Sequence, residues 1–182
     1  ITKGRIELRR EPLDLREVLL SAREATLPLI ESAGQVLEVV LPDEPLPIDG
    51  DPARLTQVIA NVLNNASKFM GRGGRIRLSA ARDGDGFAIA VRDEGIGIPE
   101  DFLPTIFDMF TQVDRSLERA KGGLGIGLAL ARTIVDLHGN LRSAALKPAT
   151  IDASRAFLYF GGRTFISVSG STTVMRDCIT SS

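Results

Sequence analysis

The sequence predicts an α+β domain with helices covering one face of a mixed, mostly antiparallel sheet, a two-layer sandwich. Three observations carry that prediction. Apolar residues recur at helical spacing in three stretches, short β-branched or alternating runs lie between them, and the resulting order of helix, strand, helix, strand, strand, helix contains no repeat. A sheet with one apolar face buries it most simply beneath helices.

Asp14-Leu15-Arg16-Glu17 sets a carboxylate at an N-cap three residues before a glutamate, a capping-box-like start in which Asp replaces Ser or Thr. Leu15, Val18, Leu19, Ala22, Leu29 and Ile30 then keep helical spacing up to Gly34, with a kink expected at Pro28. Val36 to Leu41 is short and β-branched and ends at Pro42, so it reads as a strand, and Pro42 to Gly50 reads as a proline-rich loop. Asp51-Pro52 is an N-cap followed by proline at the first helical position, opening a helix that runs to about Phe69. Arg75 to Ala81 and Phe87 to Arg92 flank Asp83-Gly84-Asp85-Gly86. The alternation Ile76, Leu78, Ala80 against Phe87, Ile89, Val91 predicts a hairpin with one buried face that delivers Asp93 at its end. Helical periodicity returns from Gly127 to Leu137 through Leu128, Ala131, Ile134 and Val135, with Gly139 as its stop. Beyond Gly139 the pattern weakens: Leu141 to Leu146 reads as a strand, Thr150 to Phe160 has no clear period, and Thr173 to Ser182 reads as an unstructured end.

The 182 residues fit one domain with a single substantial core. Twenty-two basic against 23 acidic residues leave a net charge of −1, which offers no field to hold a nucleic acid backbone. One cysteine, Cys178, precludes an intrachain disulfide framework, and with the lone His138 it cannot supply the usual four zinc ligands; a reducing, cytoplasmic setting fits. No apolar run approaches the ~20 residues that cross a bilayer, so no direct membrane insertion is expected. Beginning with Ile1 and entering mid-pattern, the chain reads as a segment of a longer protein.

Chemistry concentrates in three places. On the second helix Gln57, Asn61, Asn65 and Lys68 share one edge, opposite Leu55, Ile59, Val62 and Leu63. Amide oxygens and an ammonium along one stripe can ligate Mg²⁺ and counter phosphate charge, although a solvated polar face would look the same. Asp93-Glu94-Gly95-Ile96-Gly97-Ile98-Pro99 puts a carboxylate at a strand end ahead of Gly-x-Gly. A carboxylate so placed can accept a hydrogen bond from an exocyclic amine while the glycines let backbone approach a planar ring; the plain alternative is a turn. Gly122-Gly123-Leu124-Gly125-Ile126-Gly127 opens directly into a helix whose N–H groups can meet phosphate, and its spacing is neither that of a dinucleotide fold nor that of a Walker loop.

Together these motifs resemble the catalytic, ATP-binding domain of bacterial sensor histidine kinases, in the wider superfamily of gyrase, MutL and chaperone ATPases with the Bergerat fold. Asn61-x-x-x-Asn65-Ala66-x-Lys68-Phe69 resembles its asparagine box, Asp93-x-Gly95-x-Gly97 its first glycine box, Phe107-Asp108-Met109-Phe110 its phenylalanine box, and Gly123-Leu124-Gly125-Ile126-Gly127-Leu128 its second glycine box. The likeness covers about Leu13 to Gly139. It implies that Asn65, helped by Asn61, holds Mg²⁺, that Lys68 meets phosphate, that Phe69 borders adenine and that Asp93 reads the adenine amine. Gly95, Gly97 and Ile98 would shape the base pocket with Phe110. Thr111 to Lys121, with Arg115 and Arg119, would form a lid, and Gly123, Leu124, Gly125, Gly127 and Leu128 would hinge it against the triphosphate.

The hydrolytic branches of the superfamily resemble one another in carrying a glutamate four residues before the metal-binding asparagine, where it activates water. Here that position is Asn61, so the resemblance implies slow hydrolysis and phosphate transfer, with Asn61 and Lys68 as the catalytic pair, to a histidine on a dimerisation domain and onward to a response regulator. Residues 1–12 would be the linker leaving that hairpin, 13–170 the ATP-binding domain and 171–182 a tail, the segment alone being a monomer. The family's last strand, of the kind Gly-x-Thr-Phe-x-Val, is matched by Gly162 to Val168, but the insert Ala144 to Gly161 before it is long and apolar, so it reads as an extended hairpin or a tail foreign to the fold. His138 precedes a glycine, as is common in the family, and reads as helix termination. Two other readings stay open, an ATPase of the same superfamily and a non-catalytic nucleotide-binding scaffold.

Overall fold

The computed structural model describes residues 7–83, 86–97, 105–108, 126–138 and 159–160. Within them the chain forms β1 (Glu11–Asp14), α1 (Leu15–Ser32), β2 (Val36–Val40), β3 (Pro47–Gly50), α2 (Pro52–Met70), β4 (Arg75–Asp83), β5 (Gly86–Arg92), α3 (Gly127–Leu137) and β6 (Tyr159–Phe160).

Both predicted caps form. Asp14 accepts the Arg16 N–H at 3.0 Å and Asp51 accepts the Arg54 N–H at 3.0 Å, each satisfying a donor at a helix start. Asp14 also accepts the Leu46 N–H and pairs with the Arg16 guanidinium at 2.7 Å, and that side-chain bond holds its carboxyl down to about 2. Helix α1 runs on through Pro28 to Ser32. The carbonyl that Pro28 leaves without its donor belongs to Glu24, on an exposed face where water can reach it.

The main sheet has the order β2-β4-β5-β6. β4 and β5 form the predicted antiparallel hairpin, with Leu78 opposite Val91 and Ala80 opposite Ile89, whereas β2 runs parallel to β4, with Glu38 opposite Arg77. That pair carries a 3.0 Å ion pair on the open face. On the other face Ile76, Leu78, Ala80, Phe87, Ile89 and Val91 are buried with Leu15, Leu19 and Ile30 of α1, Leu55, Ile59 and Leu63 of α2, and Ala131 and Ile134 of α3. One core is therefore shared by a sheet and the three helices on it.

Two segments differ from expectation. The stretch 42–50 is not wholly loop: Pro47–Gly50 forms β3, which pairs antiparallel with β1, so Glu11 and Pro12 of the expected linker also lie in a strand. Both strands are four residues long and contain proline, a composition that hides a short two-stranded ribbon from pattern reading. In the apolar insert, Tyr159 and Phe160 form β6 beside Ala88 and Phe87. The expected strands at 141–146 and 162–168, the stop at Gly139 and the tail lie outside the described residues.

Candidate functional site

Helix α2 supplies the polar stripe. Gln57, Asn61, Asn65 and Lys68 are all half-buried, while Leu55, Ile59, Val62 and Leu63 on the opposite side are fully buried. The stripe thus lies along the margin of the core, and not on a fully solvated face. Asn61 donates through Nδ2 to the Gly127 carbonyl at 3.4 Å, which brings the asparagine-bearing helix against the first residue of α3. With Nδ2 so placed, Oδ1 remains as the oxygen that Asn61 can offer to a cation. At the C-terminal end of α2 the Lys68 ammonium stands 4.8 Å from the centre of the Phe69 ring, and Phe69 is partly exposed.

The end of β5 meets that same turn of α2. Asp93 is 8% exposed, and burial raises its pKa above the ordinary carboxylate value while one hydrogen bond opposes the rise. That bond comes from the Gly95 N–H to Oδ1, at 2.8 Å, which fixes one carboxylate oxygen and leaves the other for a ligand. Gly95 is required by space: a Cβ there would lie 2.6 Å from Asp93 Oδ1 and 3.1 Å from the Phe69 carbonyl. Gly97 is required by backbone conformation, with φ at +73°. The Ile96 N–H reaches the Phe69 carbonyl at 3.4 Å, and Ile96 itself is exposed. Glu94 turns the other way and accepts the Arg75 N–H at 3.0 Å, bracing the strand end against β4.

Asn61, Asn65, Lys68, Phe69, Asp93, Gly95, Gly97, Gly127 and Leu128 therefore surround the C-terminal half of α2 and its junctions with β5 and α3. Phe107 packs against the core beside a turn closed by the Asp108 N–H on the Thr105 carbonyl at 2.9 Å. Ile98, Phe110, Gly123, Leu124, Gly125 and the expected lid at 111–121 lie outside the described residues. No cluster of His, Cys, Asp and Glu among the described residues could hold a metal ion, so a cation here would depend on the amide oxygens of Asn61 and Asn65 and on oxygens of its ligand.

Two buried polar side chains that organise this region escaped sequence reading. Gln35 donates through Nε2 to the Ser67 carbonyl at 2.9 Å and to that of Gly71, tying the C-terminal end of α2 to the start of β2. His138, read as a helix stop, is 5% exposed and accepts the Asp51 N–H through Nε2 at 3.0 Å, while Nδ1–H donates to the Ile134 carbonyl at 2.7 Å. Burial lowers its pKa, so the neutral tautomer is held. A single histidine in a chain otherwise without one was the available signal, but its partners lie 87 and four residues away, and only the fold reveals the longer link.

Residues 50–172 match the family described as histidine kinase-, DNA gyrase B-, and HSP90-like ATPase. Among curated proteins, the circadian input-output histidine kinase CikA of Synechococcus elongatus is 46% identical over 89 residues, covering 49% of this chain and 12% of CikA. The alginate biosynthesis sensor protein KinB of Pseudomonas aeruginosa is 37% identical over 145 residues, covering 80% of this chain and 24% of KinB. The chain thus spans a quarter or less of the length of these two relatives. Among solved structures, the mycobacterial sensor histidine kinase MprB matches with a TM-score of 0.62 and 29% identity over 78% of this chain and 89% of that one. Full-length ShkA in complex with AMPPNP matches with a TM-score of 0.64 and 27% identity over 86% of this chain and 29% of that one. A two-layer fold with an asparagine-bearing helix set between the glycine-marked end of β5 and the first residue of α3, matched by family and by structure, has one reading: the chain belongs to the histidine kinase-, DNA gyrase B-, and HSP90-like ATPase family, as an ATP-binding catalytic domain of the sensor histidine kinase kind.

Proposed function

We propose that this domain binds Mg-ATP and passes the γ-phosphoryl group to a histidine carried on a dimerisation domain outside the chain, from which a response-regulator receiver domain would take it. Asp93 binds the adenine amine with the carboxylate oxygen not engaged by Gly95, and Phe69 flanks the base. The half-buried amides of Asn61 and Asn65 fit a hard cation, and Lys68 and the backbone from Gly123 to Gly127 would neutralise and orient the phosphates. When bound, Mg²⁺ supplies charge neutralisation and alignment of the phosphate oxygens. Support comes from family membership and from the AMPPNP held by the structural relative ShkA.

The observation that carries transfer over hydrolysis is Asn61. It occupies the place from which a general base would activate water, its amide does not accept a proton near neutral pH, and its Nδ2 is already engaged with Gly127. The γ-phosphoryl group is thus left for a nucleophile brought by another domain. The test is reconstitution with labelled ATP and a histidine hairpin supplied in trans. Label on the hairpin histidine, lost with Asp93→Ala, is the expected result. Normal ATP binding with no transfer to any cognate hairpin, or steady hydrolysis by the isolated chain that Asn61→Ala abolishes, would overturn the reading.

A further inference from the structure

Helices α2 and α3 are pinned to each other at two points. At one end the Asp51 N–H, at the N-cap of α2, donates to His138 at the C-cap of α3; at the other, Asn61 of α2 donates to Gly127, the first residue of α3. Asn61 lies ten residues beyond Asp51 and Gly127 eleven before His138, so the helices run antiparallel with their pins roughly 15 Å apart at about 1.5 Å per residue. Between the pins the two helices share the core, to which α2 gives Leu55, Val58 and Ile59 and α3 gives Ala131, Ile134 and Val135. Apolar packing of this kind fixes the distance between two helices more firmly than their axial offset. The hydrogen bonds fix the offset.

The His138 end is a built junction. His138 is buried with both ring nitrogens engaged, and Asp51 closes on the N-terminal segment by accepting the Arg9 N–H at 2.9 Å. Arg10 donates to the Leu137 carbonyl at 2.6 Å, capping α3 from the same segment. Gly50 borders the same junction: a Cβ there would crowd Leu55 Cδ1 at 2.8 Å while meeting His138 Cδ2 at 3.5 Å, an ordinary contact. Asp51, Asn61, Gly127 and His138 therefore make a closed frame, one corner of which is Asn61, a cation ligand in the proposed function.

We infer that His138 is a positioning residue for the triphosphate: by bonding the Asp51 N–H it sets the axial offset of α3 against α2, and so places Gly127, the first residue of α3, relative to Asn61 and Asn65. The inference rests on the nucleotide-binding reading above. The base pocket is built from β5 and the end of α2, outside this frame, so the two halves of the nucleotide should respond differently. The experiment measures Mg-ATP and adenosine affinities of the 182-residue chain, by calorimetry, for wild type, His138→Leu and His138→Gln, with thermal denaturation of each. Leucine keeps bulk and removes the acceptor; glutamine offers Oε1 where Nε2 stood. The expected result is an ATP affinity about tenfold weaker in His138→Leu with adenosine unchanged, and recovery of most of that loss in His138→Gln. Equal weakening of both ligands, or none, overturns the inference. If the leucine variant does not fold, wild type still decides: Mg-ATP should slow hydrogen exchange of the Asp51 N–H, and an unchanged rate at saturation overturns it. Wild type that binds neither ligand sinks the nucleotide reading itself and this inference with it.

Discussion

Gly95→Ala is the most informative single substitution, because the methyl group has nowhere to go. Its carbon would stand 2.6 Å from Asp93 Oδ1, 3.1 Å from the Phe69 carbonyl and 3.3 Å from Met70 Cα. Two of these neighbours are backbone in the last turn of α2, which the core on one side and Gln35 on the other hold in place. The carboxylate is the group that yields. Turning it away breaks the 2.8 Å bond from the Gly95 N–H and moves the second oxygen, which binds the adenine amine in the proposed function. Overpacking at such a site costs about 1–3 kcal/mol of stability, and each kcal/mol lowers the unfolding midpoint of a domain this size by about 2–4 °C. Loss of a hydrogen bond to a charged acceptor costs roughly 1.5–3 kcal/mol, which is a 10- to 150-fold loss of Mg-ATP affinity. Calorimetric titration and a thermal melt of the same sample read both. An affinity within about twofold of wild type, with an unmoved midpoint, would show that Asp93 and Gly95 are not the adenine reader described here.

Asp93→Asn should separate binding from folding. Burial raises the pKa of Asp93, so the folded state takes up a proton more readily than the unfolded one, and the ionised group costs stability as pH rises from 3.8 through the raised value. The neutral amide should therefore raise the apo melting temperature at pH 7 while abolishing ATP binding, and a lower melting temperature would refute the assigned cause. For His138 the sign is opposite. Its folded pKa lies below the ordinary 6.5, so its contribution is present above that value and fades as pH falls toward the folded pKa. Chemical denaturation from pH 7 down to 5 should lose stability in wild type and lose less in His138→Gln. Asp14→Ala removes the cap of α1 and the acceptor for Leu46, and should cost about 1–2 kcal/mol at pH 7 by the same assay. The carboxyl is held down to about 2, so that cost should be full above pH 3.8, shrink as pH falls below it and be gone near the folded value.

The parts of the fold that the sequence announces are those in which every residue of an element repeats one physical demand. The stripe of Leu55, Ile59, Val62 and Leu63 against Gln57, Asn61, Asn65 and Lys68 states a helix and its two environments together. The alternation through Ile76, Leu78 and Ala80 does the same for a one-faced strand, and Asp14 and Asp51 announce helix starts because a cap is local chemistry. Long-range partnerships carry no such signal. Nothing in Pro47-Ile48-Asp49-Gly50 says that it will meet Glu11 to Asp14, and nothing in Leu137-His138-Gly139 says that the imidazole will meet Asp51. At the site, Asp93 and its glycines were legible because a buried carboxylate at a strand end is an unusual choice, whereas Gln35 looks like any polar residue after a turn.

The ribbon of β1 and β3 bears on where such a domain can be excised. The family match begins at residue 50, yet Leu15, Leu19 and Ile30 of α1 lie in the same core as α2 and the sheet, so a fragment cut at that border would expose the apolar side of both. Starting at Leu13 spares α1 but strips Arg9 from Asp51, Arg10 from Leu137 and half of β1 from its partner strand. A self-sufficient piece has to retain residues 9 to 12, which supply the backbone N–H that Asp51 accepts, the cap on α3 and the outer half of β1.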